Sequence, residues 1–482
     1  MSAEALARRL RESPAVGAAA RALAGSDAWV VGGAVREGLL DREVTDLDLA
    51  VPRGEDQAAR AIAREAGGHA FALSERFGTW RVASRGEGFG VDVTRLRGDG
   101  IEADLGARDF TVNAMAVPLE AAPAGNAGGA LVDPHGGSRD LEARRLRAVS
   151  ATAFADDPLR VIRAARFAAA LGLEVDGRTA ESARAAAAQA ADPAGERRLA
   201  ELGALAGTPD PVRGVEMLEK LGALPVVLPE LERLRGVGQN PYHHLDALGH
   251  TVEVLGRLVE VQGDLEAYAG EHAAAVAAHM SEPLADGLSR STALRFGALF
   301  HDLGKPATRT VNEEGRVLFL GHDREGARIV RGICARLRSS RRLRRYLELI
   351  CLEHLRLGFL VHVRPLSRRD VYDYLQATDP DAIDVTLLTV ADRLATQGEK
   401  TRREAIDAHL ELAREMIGEA VAWRGSGPAR PPIAGDELAA ELGIERGPGL
   451  GRLMRELAAA AWTGEATSRD EALAYARRLS SE

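Results

Sequence analysis

Apolar residues between Ser26 and Val117 come in short runs separated by turns: AWVVGGAV, TDLDLAV, TWRVAS, GFGVDVTRL and DFTVNAMAV. Runs of this length predict β-strands, with one helix among them near 55–67. The low-complexity turn region AAPAGNAGGA (121–130) ends that pattern. From Phe154 to Leu234 apolar positions recur at helical spacing, as in DPLRVIRAARFAAALGL and VRGVEMLEKLGAL. After a second turn region, RGVGQNPYHH (235–244), the helical pattern runs on to about Glu419. The prolines and glycines of WRGSGPARPPIAG (423–435) predict a linker before a last helical segment reaching Glu482. No repeat of solenoid period is present. The expected fold class is α+β, with a mixed-sheet head at 1–148, a helical neck at 149–235, an all-α domain at 236–422 and a helical tail at 423–482.

A chain of 482 residues with 46% hydrophobic content has material for roughly three domain cores. Its 62 basic and 71 acidic residues leave a net charge of −9, which excludes a uniformly basic protein that coats nucleic acid. Local basic patches are compatible with that balance and would be arginine, because lysine occurs only at Lys220, Lys305 and Lys400. Aromatic residues at 4% argue against recognition of single strands by many stacked rings, so any nucleic acid is held mainly by guanidinium groups. Cys334 and Cys351 are too few for a disulfide framework and lack metal-site spacing, so buried thiols in a reducing compartment are expected. With no signal-like apolar core near the start and no membrane-length segment later, the expected location is cytoplasmic.

Candidate chemistry first arises in VVGGAVREGLLDREVTDLDLAV (30–51). An apolar run enters Gly32 and Gly33, a short helix follows, and Asp46 and Asp48 then alternate with Leu47 and Leu49. Period two puts both carboxylates on one strand face. Two carboxylates that close repel unless a cation lies between them, and hard divalent ions are the natural partner. The glycines let backbone N–H groups approach a triphosphate, with Arg36 beside them as a charged donor. Together these features describe metal-assisted nucleotidyl transfer, in which one ion activates an attacking hydroxyl and another clamps the triphosphate. Further along, DDPLRVIRAARF (156–167) puts Asp157 and Arg160 at i, i+3 on an expected helix. An acceptor and a bidentate donor side by side suit the Watson–Crick edge of cytosine or adenine, and Arg163 and Arg166 extend the row toward phosphates.

The stretch 30–51 resembles motif A of the DNA-polymerase-beta-like nucleotidyltransferases, in the version carried by class II CCA-adding enzymes and bacterial poly(A) polymerases. The family's GG-x-V-R-D stands here as GGAVRE, with Glu37 in place of aspartate. ARDFTVNAMA (107–116) resembles motif B, with Ala107 in place of an arginine. That resemblance implies ribose and phosphate contacts for Arg108, Asp109 and Asn113. LVDPHGGSRDL (131–141) is similar to motif C, a hinge-like turn with Asp133, Gly136, Gly137 and Asp140. Asp156, Asp157 and Arg160 match motif D. The resemblance implies a polymerase-beta-like head, Mg²⁺ held by Asp46 and Asp48 as the catalytic pair, and nucleotide binding by Gly32, Gly33, Arg36, Arg108, Asp109, Asp157, Arg160, Arg163 and Arg166. It also implies tRNA as partner, with CTP and, where the end is completed, ATP as substrates.

In CCA-adding relatives a flexible loop of roughly ten to twenty residues precedes the acidic helix leading into motif B, but here almost nothing separates Arg97 from Ile101. Within the family that loop supports the switch from cytosine to adenine, and its absence is associated with enzymes that add only two cytidines. A CC-adding enzyme is therefore expected, against the plain alternative that surface loops shorten by drift. Asp92, between Val91 and Val93, reads as an ordinary strand-edge residue in preference to a third metal-side carboxylate.

The helical stretch carries His250, the pair His301 and Asp302 in ALFHDLGKP, then His322, His354 and Asp392. HDLGK after an apolar run resembles the HD phosphohydrolase superfamily. Mixed imidazole and carboxylate ligands suit divalent metals such as Mn²⁺, Ni²⁺, Fe²⁺ or Zn²⁺, and six ligands suffice for two ions. Such ions would activate water against a phosphoester, with Lys305 near the phosphate. The resemblance implies phosphatase or 2′,3′-cyclic phosphodiesterase activity on RNA ends; His243 and His244 read as local structure. The basic stretch RGICARLRSSRRLRRYLE (331–348) is expected as one helix, facing either tRNA phosphates or solvent. GPGLG (447–451) before the final helices suggests an anion-accepting N-terminus. Two alternatives stand beside CC addition: a poly(A) polymerase, and a phosphohydrolase whose head only binds RNA.

Overall fold

A computed structural model of the chain describes residues 2–74, 78–85, 88–427 and 430–481. It has the expected α+β class, and the chain divides into two compact units: 1–193 with 216–226, and 194–215 with 227–482. Among the described residues no helix is long and apolar enough to cross a membrane.

In the first unit, helices α1 (Ala3–Glu12) and α2 (Pro14–Ala22) precede a six-stranded mixed sheet. Its strands are β1 (Trp29–Val31), β2 (Asp46–Val51), β3 (His69–Ser74), β4 (Thr79–Ala83), β5 (Gly90–Arg95) and β6 (Ala116–Pro118). Their order is β3-β4-β5-β2-β1-β6, with β2 and β5 parallel and the other neighbours antiparallel. Helix α3 (Gly33–Leu39) leaves β1 directly, and α4 (Glu55–Glu65) packs against β3, β4 and β5. Alternation in β2 buries Leu47 and Leu49 while Asp46 and Asp48 take the other face, and Val91 and Val93 repeat the pattern on β5. Each buried aliphatic side chain contributes ~2 kcal/mol by its removal from water, which locks the register and hence the acidic face.

Two of the strand expectations for this unit need correction. DFTVNAMAV is not one strand: Phe110 makes a single antiparallel bridge with Ala148, Thr111–Asn113 form a 3₁₀ turn, and only the end of the run joins the sheet, as β6. The edge strand β3, absent from the expectation, forms from HAFALS, whose Phe71 and Leu73 are exposed. After β5 only residues 96–100 intervene before α5 (Ile101–Gly106), and α6 (Gly137–Glu142), α7 (Ala153–Asp156) and α8 (Arg160–Leu171) follow.

The second unit is helical apart from two short hairpins, Pro283–Ala285 with Leu288–Ser289 and Thr310–Val311 with Val317–Leu318, which interrupt the expected all-helical stretch. The basic stretch is two helices, His322–Arg336 and Arg341–Glu353, because Arg338 turns left-handed (φ 52°) and the Ser340 side chain caps the second. Arg331 pairs with Glu348 at 3.0 Å and Arg336 with Glu230 at 2.6 Å, so part of that charge is neutralised locally. The expected linker starts late, since helix Arg403–Ser426 includes Trp423; residues 428–429 of it lie outside the described residues. Helices Gly435–Leu442, Pro448–Thr463 and Arg469–Ser481 then share a core of Leu438, Leu453, Leu457, Ala460, Ala472 and Leu473.

Candidate functional site

The sheet register brings Arg81 of β4, Asp92 of β5 and Asp48 of β2 level with one another on three adjacent strands, and sets Asp46 opposite Gly90. β5 is an interior strand, so Asp92 is not the strand-edge residue expected. Its Oδ1 is buried without a hydrogen bond to any described residue, and burial together with the charges of Asp48 and Asp46 raises its pKa, against Arg81. Burial likewise raises Asp48, opposed by Arg108, a backbone N–H of Gly33, and Arg36. Asp46 is the exposed member, its side chain 74% accessible. Three carboxylates on one face, two of them desolvated and one with an orphaned oxygen, form an environment that a divalent cation fits.

Beside this row lies the glycine turn. Gly32 has φ 65°, a backbone that side chains rarely adopt, and a Cβ there would stand 2.9 Å from the Arg108 guanidinium and 3.2 Å from Asp48 Oδ2. Arg108 donates to Asp104 Oδ2 at 2.9 Å, an i, i+4 pair on which it is anchored. Arg36 donates to Asn113 Oδ1, Asn113 to Asp109 Oδ1 at 3.1 Å, and Arg163 to Asp109 Oδ2 at 2.7 Å. Asp109 is buried, which alone would raise its pKa, yet Arg163 and these donors hold it down at about 2. Arg163 is thus paired with Asp109, while Arg166 stacks on Phe167 at 4.1 Å. Motif C is clamped as well, with buried Asp140 accepting from Thr111 at 2.7 Å and from Arg147 at 2.9 Å.

Asp157 and Arg160 do not share a helix edge. Asp157 is extended (φ −150°, ψ 100°) between α7 and α8, because Pro158 disfavours helical backbone in the residue before it. Its Oδ1 accepts from the Leu159 N–H at 3.2 Å, in the manner of a helix cap. Arg160 opens α8 and donates to the carbonyls of Ala153 at 3.1 Å and Ala107 at 2.9 Å. The Ala107 contact ties the neck helix to the segment carrying Arg108 and Asp109, so both regions belong to one framework within this unit.

In the second unit the six HD residues come together from five segments. His250 lies on helix Ala247–Gly263 and Asp392 on Ala382–Ala395. His301 and Asp302 follow Arg290–Phe300, His322 opens its helix, and His354 closes Arg341–Glu353. Asp302 is central: its Oδ2 lies 3.1 Å from His301 Nε2 and 3.7 Å from His250 Nε2, and its Oδ1 lies 3.4 Å from His322 Nε2 and 3.9 Å from His354 Nε2. Two triads therefore share one carboxylate, and Asp392 is 3.0 Å from His250. His301, His322 and His354 each direct Nδ1 to a main-chain carbonyl at 2.7–2.8 Å, which assigns the proton there and leaves Nε2 as a lone pair facing inward. The His322 and His354 Nε2 atoms, 3.2 Å apart, then oppose lone pair to lone pair, an arrangement a cation relieves. Burial and the neighbouring histidines push His354 down to about 3, so it is neutral and competent to bind metal. Gly304 of HDLGK admits no side chain, since a Cβ would lie 2.1 Å from the His322 carbonyl oxygen.

Lys305 contacts Asp302 at 2.6 Å and donates to Gln239 Oε1 at 2.6 Å. His243 stacks edge-on against His250, with ring centroids 4.7 Å apart, while His244 pairs with Glu253 at 3.2 Å. Cys334 and Cys351 are buried free thiols, as expected, and Cys351 donates to the His301 carbonyl at 3.3 Å. Three partners were missed from sequence: Asp104, legible as an i, i+4 neighbour of Arg108; Arg81, signalled by an arginine inside an apolar strand run; and Gln239, for which sequence carries no signal.

A mixed-sheet head with this acidic row, together with a helical HD unit, defines a polymerase-type nucleotidyltransferase, an enzyme class. Residues 28–147 match the Poly A polymerase head domain, 172–234 the probable RNA and SrmB-binding site of polymerase A, and 248–397 the HD domain. The A-adding tRNA nucleotidyltransferase of Deinococcus radiodurans is 36% identical over 94% of this chain and 96% of its own. The CC-adding tRNA nucleotidyltransferase of Thermus thermophilus is 34% identical over 93% of each. The Bacillus stearothermophilus CCA-adding enzyme, solved in complex with CTP, shares the fold with a TM-score of 0.63 at 20% identity over 97% of this chain and 98% of that one. The chain belongs to the tRNA nucleotidyltransferase family.

Proposed function

We propose that the head adds cytidylate from CTP to the 3′ end of tRNA and stops after two additions. The O3′ of the tRNA attacks the α-phosphorus of CTP, the bond from α-phosphorus to the bridging oxygen breaks, pyrophosphate leaves, and the hydroxyl proton passes to solvent. Asp46 and Asp48, with Asp92 beside them, would hold Mg²⁺, which lowers the pKa of the attacking hydroxyl and neutralises the leaving charge. Gly32 and Gly33 leave the backbone open to the triphosphate, and Arg36 and Arg108 stand next to it as donors. Asp157, in the extended turn before α8, and Arg160, which opens that helix, select the base, and the Asp109–Arg163 pair holds α8 on motif B. The observation that carries this reading is the level placement of Asp48 and Asp92 beside a glycine turn that admits Arg108.

The relatives include both A-adding and CC-adding enzymes, so their names do not choose between nucleotides. The five residues between β5 and α5 favour two cytidines, because the family's longer loop at this place supports adenine addition. The deciding experiment offers tRNA ending before the CCA sequence, and tRNA ending in CC, with CTP or ATP singly. The expected products are two cytidines on the first tRNA and none on the second. A single adenosine on the CC-ended tRNA would make this an A-adding enzyme, and long adenosine tails a poly(A) polymerase.

For the second unit we propose a two-metal phosphohydrolase centre on RNA ends, acting as a phosphatase or 2′,3′-cyclic phosphodiesterase with Mn²⁺ or Ni²⁺. His250, His301, Asp302, His322, His354 and Asp392 would hold the ions, which supply an activated water at neutral pH. Lys305, against Asp302, would face the phosphate. We assign transfer to 1–148, base choice to 149–235, hydrolysis to 236–422 and tRNA binding to 423–482. With tRNA and CTP as the proposed substrates, the location that goes with this reading is the cytoplasm.

A further inference from the structure

We propose that Arg81 is a built-in competitor of the head's divalent cation, holding the acidic row together without metal and leaving it when metal binds. The inference rests on the reading that Asp46 and Asp48 are metal ligands. Arg81 Nη2 lies 3.3 Å from Asp46 Oδ1 and Arg81 Nη1 lies 3.6 Å from Asp92 Oδ2, so one guanidinium spans the outer and the cross-strand carboxylate. The cross-strand pairing Arg81 to Asp92 to Asp48 puts that guanidinium on the carboxylate face itself. Gly90 makes the approach possible: a Cβ there would stand 2.7 Å from Asp46 Oδ1 and 3.0 Å from Arg81 Nη2, in the space where the two side chains meet.

A guanidinium and a divalent ion cannot share the same carboxylate oxygens at these distances without strong repulsion. The resident interaction is weak, because Arg81 is 38% and Asp46 74% exposed, and water screens such pairs. It therefore restrains the like charges of the row without blocking metal. The turn of Gly32 and Gly33 with Arg36 and Arg108 lies at Asp48, whereas Arg81 lies at Asp46, the exposed member.

The test is direct Mn²⁺ binding to the full-length protein by electron paramagnetic resonance, without nucleotide or tRNA. The head signal is defined as the part lost on Asp48→Asn. Arg81→Gln is expected to tighten that part roughly three- to fivefold, the scale of releasing one exposed ion pair. Arg81→Lys, with a shorter reach and the charge retained, is expected to fall between the two. Unchanged or weaker Mn²⁺ binding in folded Arg81→Gln would overturn the competitor role alone. If Asp48→Asn removes no Mn²⁺ signal, the metal assignment of the head fails with it. Should Arg81→Gln not fold, the same comparison with Arg81→Lys decides, since equal affinity to the parent would contradict the proposal.

Discussion

Asp48 on β2 and Asp92 on β5 stand level on neighbouring parallel strands, and the buried Oδ1 of Asp92 has no hydrogen-bond partner among the described residues. That pairing makes Asp92 a third acidic group of the candidate metal site. Asp92→Asn should lower the rate of nucleotide addition by roughly 10- to 1,000-fold, in the range seen when one electrostatic element of a transition-state site is lost. The loss should be partly recovered at high Mg²⁺, measured as a shift in the metal concentration giving half-maximal rate. Unchanged metal dependence would return Asp92 to a structural role.

Asp109 links motif B to the neck through Arg163, and the strength of that link is readable from acid unfolding. Its folded pKa of about 2 lies below the ordinary value of 3.8, so the carboxylate contributes stability above about pH 4 that is lost as pH falls through about 2. The shift corresponds to about 2 kcal/mol. Asp109→Asn should remove that acid dependence and lower Tm. A variant with the parent's acid profile would exclude the ion pair as its source.

Most of the site's residue types were legible in sequence because glycine pairs, alternating aspartates and HDLGK each have a local physical reason. What was not legible is longer in range. The interior position of β5, which brings Asp92 to Asp48, depends on strand order and cannot be inferred from the alternation of Val91 and Val93 alone. The kink at Asp157 was legible in principle from Pro158, but helical periodicity on both sides masked it. Arg160 and Arg163 point to partners 53 and 54 residues away, at Ala107 and Asp109, which no local pattern encodes.

Base choice should depend on Arg160 in a way that separates binding from chemistry. Arg160→Lys keeps charge but loses the fork that meets two carbonyls and a base edge. It should raise KM for CTP and relax discrimination against ATP by roughly 10-fold or more, the scale of a bidentate contact. Equal loss for every nucleotide would assign Arg160 to the framework instead.

Removal of metal should loosen the second unit. Dialysis against a chelator is expected to lower its Tm and abolish phosphohydrolysis, with Mn²⁺ or Ni²⁺ restoring both; bound metal at a hundredfold excess over Kd stabilises by ~3 kcal/mol. Asp302→Asn, which alters the carboxylate common to both triads, should reduce bound metal by both equivalents. Loss of only one equivalent would contradict the shared role.

The most direct measurement compares the full chain with its Asp48→Asn variant in two assays on the same preparation: addition of CTP to tRNA lacking its terminus, followed by pyrophosphate release, and metal-dependent hydrolysis of a 2′,3′-cyclic phosphate. The expected result is loss of addition by at least 10³-fold with hydrolysis unchanged. Addition that survives in the variant, or an equal loss of both activities in a folded protein, would contradict a transfer centre built on Asp46 and Asp48.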